Sequence, residues 1–282
     1  MIRNDILKKF IDNAIKEDVG DGDHSSLSCL SPELEGAASL KVKEDAILAG
    51  VNIALMVFHV IDDRLEMDIK IEDGEKVYER DEAFEVKGSV HSILKAERLV
   101  LNIMQRMSGI ATQTRRYADE LKGLKTKVLD TRKTTPGMRL LEKEAVRLGG
   151  GANHRMGLYD MILLKDNHID FAGGINNAVT RAVDYLRKTG RDLRIEVEAR
   201  NLDDVRLVAG NGMVHRVMFD NFSVDMTREA VEIAGGRLET ESSGGITLET
   251  VRSYAECGVD FVSVGALTHN VKGIDLSLKA TF

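Results

Sequence analysis

The sequence predicts an α+β segment followed by an α/β barrel. Three observations lead there. After Gly123, short β-rich runs alternate with helical segments. Polar residues stand at the C-terminal end of nearly every run, where a barrel builds its site. No G-x-G-x-x-G follows the first run. An open doubly wound sheet would also place its site at the strand ends, but fewer strands would contribute. Parallel strands joined by helices imply right-handed crossovers.

Composition narrows the function classes. The 282 residues are 43% hydrophobic and 30% charged, enough for a sizeable core. A net charge of −7 argues against nucleic-acid and membrane-surface binding, so any basic site must be local. The two cysteines, Cys29 and Cys257, form no C-x-x-C, which fits a reducing, cytoplasmic setting. No long apolar stretch opens the chain, so no secretory signal is expected. The longest near-apolar run, Val51 to Ile61, is too short to span a bilayer.

The elements follow in order. Ile6, Leu7, Phe10, Ile11, Ala14 and Ile15 share one face of a first helix that Gly20 ends. The acidic loop at residues 18–24 lacks EF-hand spacing and reads as a turn with helix-capping duty. Leu40 and Val42 alternate with lysines in a strand, and Gly50 to Ile61 reads as a buried helix. Leu65 to Ile71 and Phe84 to Val90 are further strands, with a turn at Asp73-Gly74. A long helix is expected from about Ile93 to Leu121, with a break at Gly109. Leu94, Leu101, Met104 and Met107 help form its apolar stripe, and Arg98, Asn102 and Arg106 share another face.

The barrel strands are expected at Lys127 to Leu129, Met161 to Leu164, Leu193 to Val197, Arg216 to Phe219, Arg237 to Thr240 and Phe261 to Val264. The intervening helices are expected at Asn176 to Lys188, Leu202 to Ala209, Thr227 to Ala234 and Leu248 to Cys257.

The strand ends carry the chemistry. Arg132, Lys133, His154, Arg155 and Lys165 together make a cradle for an anion, although any one alone reads as a surface charge. Arginine pairs planar carboxylates or phosphates through two parallel bonds, and lysine acts as a point charge. Ser243-Gly244-Gly245 and Gly265-Ala266-Leu267 end the last strands. They read either as phosphate loops or as ordinary β–α turns. Glu198 and Asp220 end successive strands. They can bind sugar hydroxyls, hold Mg²⁺ through water, stabilise positive charge on a sugar, or neutralise the cradle. No P-loop, H-E-x-x-H or G-x-S-x-G signature is present.

At these residues the chain resembles the quinolinate phosphoribosyltransferase family. The matching segments include AERLVLNIMQRMSGIAT, LDTRKTTPGMRLLEKEAV, GGGANHRMGLYDMILLKDNHI, EVEARNL, FDNFS, SSGGIT and SVGALTH, in order and over nearly the whole chain. Ala199, Phe219 and Ser242 differ from the family's usual residues. The resemblance implies an N-terminal α/β sandwich at residues 1–110 and a C-terminal open α/β barrel at residues 111–270. Residues 271–282 would pack back on the sandwich. It implies a homodimer in which Arg98 reaches the neighbouring subunit's site. It assigns the carboxylates of quinolinate to Arg132, His154, Arg155 and Lys165, with Thr131 beside them. Lys133 and Lys165 would serve phosphoribosyl pyrophosphate, and Glu198 and Asp220 would face the ribose and Mg²⁺. Ser243, Gly244, Gly245, Gly265, Ala266 and Leu267 would hold the 5′-phosphate, with His269 nearby. Lys133, Lys165, Glu198 and Asp220 would be the catalytic set. The implied reaction transfers the phosphoribosyl group to quinolinate with loss of CO₂, in the de novo synthesis of NAD.

Overall fold

The computed structural model describes residues 4–281 and divides into two compact units. In chain order the elements are α1 (Asn4–Val19), α2 (His24–Cys29), β1 (Glu35–Val42), β2 (Ala46–Ile47), α3 (Val51–Ile61), β3 (Glu66–Ile69), β4 (Lys76–Val77), β5 (Glu82–Ser89) and α4 (Val90–Glu120). They continue with β6 (Lys127–Leu129), α5 (Arg139–Leu148), β7 (Ile162–Leu164), α6 (Asp166–Ala172), α7 (Ile175–Thr189), β8 (Ile195–Ala199), α8 (Leu202–Gly210) and β9 (Arg216–Asp220). The last are α9 (Val224–Ala234), β10 (Glu239–Ser243), α10 (Val251–Ala255), β11 (Phe261–Ser263), α11 (Ala266–His269) and β12 (Leu276–Thr281).

The first unit comprises Met1–Arg115, Thr134–Gly150 and Asn270–Phe282. Its main sheet has the order β12-β1-β5-β3, and all its pairings are antiparallel. The C-terminal strand β12 thus pairs with β1 (Leu40 opposite Leu278). Leu40, Val42, Phe84 and Val86 are buried, as the alternating pattern requires. Phe58 of α3 meets Phe84 edge-on at 6.0 Å. The Asp73-Gly74 turn does more than reverse the chain. Asp73 accepts from the backbone N–H groups of Gly50, Val51 and Asn52 at 2.6, 2.8 and 3.2 Å. It thereby caps α3, which has no side-chain cap of its own. Asp23 caps α2 through Ser25 and Ser26, so the acidic loop has the capping duty expected of it.

Two expectations for the long helix need correction. Helix α4 runs unbroken for 31 residues through Gly109. A Cβ at that position would stand 2.3 Å from the carbonyl oxygen of Lys272. Glycine is there for a close backbone approach, and not for a break. Leu94 is 40% exposed, and the buried stripe instead runs through Ile93, Ala96, Val100, Ile103, Met104 and Met107. The polar face also divides. Arg98 and Asn102 are exposed, whereas Arg106 is bonded to buried Glu142 at 2.9 Å.

The second unit comprises Arg116–Lys133 and Gly151–His269. It holds a six-stranded sheet of order β6-β11-β10-β9-β8-β7, parallel throughout. Each strand from β7 to β11 is followed by at least one helix. On the far side of β6, an isolated parallel bridge joins Leu129 to Ala152 in the segment before β7. This is the open α/β barrel. Ile195, Val197, Val217, Phe219 and Val262 are buried on one side of the strands. The alternate residues, which include Glu196, Glu198, Arg216, Asp220, Glu239 and Glu241, lie on the other. Asn201 caps α8 through Asp204 and Ser223 caps α9 through Met226, which sets each helix immediately after its strand.

The close approach at Gly109 makes a specific prediction. Gly109→Ala should destabilise the protein by about 1–3 kcal/mol, as overpacked sites do. Denaturant unfolding of variant and wild type would measure it, and equal midpoints would contradict the assigned role.

Candidate active site

A cleft of about 740 Å³ opens at the C-terminal ends of the barrel strands. All its lining residues belong to the second unit. They include Thr131, Arg132, Lys133, His154, Arg155, Lys165, Asp220, Ser243, Gly244, Gly245, Gly265, Ala266 and His269, each singled out by the sequence. Three expected residues are not in the lining. Glu198 is buried and paired with Lys165, Nζ to Oε2 at 3.1 Å. Leu267 is fully buried. Arg98 is exposed on α4, in the other unit.

One side of the cleft is cationic. It is built where β6 and the segment before β7 end. Thr131 Oγ1 accepts from the N–H of Lys133 at 3.0 Å, and the carbonyl of Lys133 accepts from Thr268 at 2.9 Å. These bonds fix the strand-end turn that carries Arg132 and Lys133. Buried Asp130 accepts from the N–H of His154 at 2.9 Å and ties the second segment to β6. Arg155 is buried, and one of its guanidinium nitrogens donates to the Met161 carbonyl at 3.3 Å. Burial holds its pKa below the usual arginine value, and the nearby Arg132 adds to that. A site that crowds two guanidiniums in this way favours an anion.

The other side is glycine-rich. Asn221 adopts φ 57°, and its N–H donates to the Ser243 carbonyl at 2.8 Å. Its side-chain amide donates to Asp220 at 2.9 Å. A Cβ on Gly244 would meet Asn221 Oδ1 at 2.2 Å, and Gly244 has φ 100°. Only glycine fits there. A Cβ on Gly265 would meet the His269 ring at 3.1 Å and the Lys133 stem at 3.2 Å. The bare backbone at Gly265 therefore lets both side chains approach.

The floor of the cleft was not foreseen. Glu241 lines it, and Glu196 lies beside it. Both are essentially inaccessible to water. Arg216 donates to Glu241 Oε2 at 3.0 Å and to Glu239 at 2.9 Å, and it stacks on Phe261 at 4.1 Å. Arg194 also pairs with Glu239, at 2.7 Å. Burial pushes Glu196 up to about 7, against the pull of Arg216. Burial pushes Glu241 up to about 7 as well, and its neighbour Glu196 adds to the effect.

His154, Glu196 and Glu241 bring their ligand-type atoms within 4.8 Å of one another. The trio has the composition of a metal site, but its hydrogen bonding does not suit one. His154 Nδ1 accepts the N–H of Arg155 at 2.6 Å. The ring proton of the neutral imidazole therefore sits on Nε2. Nε2 faces Glu196 at 3.0 Å and Glu241 at 3.6 Å. A ligating histidine donates from its other nitrogen, and here that nitrogen accepts. Both ring nitrogens are thus turned to the protein.

Glu196 and Glu241 could have been found by alternation. Residues 239–243 read Glu-Thr-Glu-Ser-Ser, with the acids two apart, and β8 repeats the pattern at Glu196 and Glu198. The expected end of β10 at Thr240 left Glu241 in a loop, whereas the strand runs on to Ser243.

Residues 110–279 match the C-terminal domain of quinolinate phosphoribosyl transferase, and residues 23–108 match the N-terminal domain. The chain belongs to the quinolinate phosphoribosyl transferase family. It is 44% identical to quinolinate phosphoribosyltransferase (decarboxylating) 1b of Nicotiana tabacum, over 97% of this chain and 82% of that one. It is 40% identical to a probable nicotinate-nucleotide pyrophosphorylase (carboxylating) of Bacillus subtilis (strain 168), over 98% and 93% of the two chains. The crystal structure of NadC from Streptococcus pyogenes superposes with a TM-score of 0.93 at 36% identity, covering 100% of this chain and 99% of that one.

Proposed function

We propose that this chain transfers the phosphoribosyl group of phosphoribosyl pyrophosphate to quinolinate and releases pyrophosphate, CO₂ and nicotinate mononucleotide, a step of NAD biosynthesis. The observation that carries the reading is the cleft of this family's fold, with a cationic wall on one side and glycine turns on the other. A dicarboxylate suits the first and a phosphate the second.

Arg132, Arg155 and Lys165 take the two carboxylates. His154 lines the same wall and contributes by fixing the backbone of Arg155 through Nδ1. Lys133 and His269, drawn together over Gly265, face the diphosphate and 5′-phosphate, with Ser243, Gly244, Gly245 and Ala266 closing around the phosphate. The ring nitrogen attacks the anomeric carbon, which becomes oxocarbenium-like. Asp220 faces the cleft and stabilises that charge, while Glu198 is neutralised by Lys165 and holds it in place. The carboxylate of Asp220 also fits Mg²⁺ bound through water, as a hard oxygen donor. When bound, the ion would spread the charge of the departing pyrophosphate. Both fixed cations and fixed acids act chiefly by positioning.

We place the protein in the cytoplasm, a setting that two unpaired cysteines, one exposed and one buried, suit. We also propose a homodimer in which exposed Arg98 completes the neighbouring subunit's cleft.

An assay with quinolinate, phosphoribosyl pyrophosphate and Mg²⁺ should yield labelled CO₂ with product. Turnover of nicotinate, but not of quinolinate, would sink the decarboxylating assignment. Arg98→Ala and Lys133→Ala should each lose activity and regain part of it when mixed as heterodimers. Verified heterodimers that stay inactive would count against a shared site.

A further inference from the structure

The reaction proposed above leaves one requirement unassigned. When the carboxylate beside the ring nitrogen departs as CO₂, its bonding electrons stay on the ring carbon. A proton must reach that carbon to form the C–H bond of the product. The electron pair lies in the ring plane, along the direction in which CO₂ leaves. The proton source must therefore sit behind the departing carboxylate, deeper than the cations that hold it.

Of the buried carboxyls around that wall, Asp130 is held by the His154 N–H, Glu198 pairs with Lys165, and Glu196 lies beside the cleft. Glu241 is the one that lines the cleft. Its Oε2 is anchored by Arg216 at 3.0 Å, and its Oε1 is buried without a full hydrogen bond among the described residues. An ionised acid there would repel a dianionic substrate. A neutral acid would donate to the substrate carboxylate. The same group can thus bind the carboxylate first and protonate the carbon afterwards.

We propose that Glu241 is the proton donor of the decarboxylation: set beneath the departing carboxylate, it passes its proton to the ring carbon as CO₂ leaves. This rests on the function proposed above. The C–CO₂ bond breaks, its electron pair takes the proton of Glu241, and Glu241 is left as a carboxylate. Arg216 of β9 stands ready to stabilise that charge. Solvent restores the proton when product leaves.

The surroundings raise the proton affinity of Glu241 above that of an exposed carboxyl. Glu196 of β8 repels a second negative charge, and burial penalises it. Arg216 of β9 opposes that effect, and His154 from the segment before β7 and Ser263 of β11 face the same carboxyl. Glu239 shares strand β10 and draws on the charge of Arg216. The acid is raised to about 7, which suits proton transfer at physiological pH. A neutral carboxylic acid used as a donor in an apolar site has precedent in general enzyme chemistry.

The test separates the two steps of the reaction. Glu241→Gln keeps the shape and can still donate to a carboxylate, but it has no proton to give. In rapid-quench experiments its first-turnover pyrophosphate release should change far less than its CO₂ release. CO₂ release should fall by about 100-fold or more, the usual contribution of a general acid, and the N-ribosylated dicarboxylate should accumulate. Equal slowing of both steps would show a structural role and overturn the proposal, as would CO₂ release at the wild-type rate. The wild-type protein gives a second reading that needs no variant. Its CO₂-releasing step should slow as pH rises through about 7, with pyrophosphate release unchanged; a flat profile would overturn the proposal. Wild-type protein that releases pyrophosphate from quinolinate but never CO₂ would overturn the function and this inference together.

Discussion

The cleft depends on how the barrel interior handles buried charge. Two buried acids, Glu196 and Glu241, lie near the buried guanidiniums of Arg155 and Arg216, and half-buried Glu239 and exposed Arg194 carry the network outward. Each buried ion carries a desolvation penalty of several kcal/mol, and an apolar interior of equal volume would be at least as stable. The network is not there for stability. It supports the wall above it: Asp130 and His154 fix the backbone on which Arg155 is carried, and Glu196 offsets the repulsion between Arg155 and Arg132. That counter-charge lowers the cost of holding two guanidiniums near each other.

The glycine side works by a different principle. There the side chains withdraw and the backbone approaches. Gly244 makes room for Asn221, and Gly265 for Lys133 and His269. One wall therefore recognises charge through side-chain forks, and the other through main-chain donors and point charges. A substrate pair with one planar dicarboxylate and one phosphate matches that division.

The sequence made much of this legible. Short β-rich runs alternating with helical segments located every barrel strand, and Arg132, Lys133, Arg155 and Lys165 stood out because cations at strand ends are unusual in an acidic chain. The floor acids did not stand out. Glutamate inside a strand ordinarily marks a solvent-facing side, and only the closed curvature of the sheet turns that side inward. Gly109 misled for a related reason. A glycine in a helix reads as a break, and only the distant Lys272 carbonyl reveals the close approach. Leu94 faces outward although its spacing fits the stripe, since a helical stripe 100° wide has edges that pattern alone does not locate. In each case the missing information was a contact far away in sequence.

The central claim is that charge fixed beneath the cleft determines how the dicarboxylate is held. A crystal structure with quinolinate bound would test it most directly. The ring should lie with its carboxylates on Arg132, Arg155 and Lys165, and with the carboxylate beside the nitrogen resting on Glu241. A ring whose carboxylates point to the Gly244 and Gly265 turns, away from the floor acids, would contradict the account.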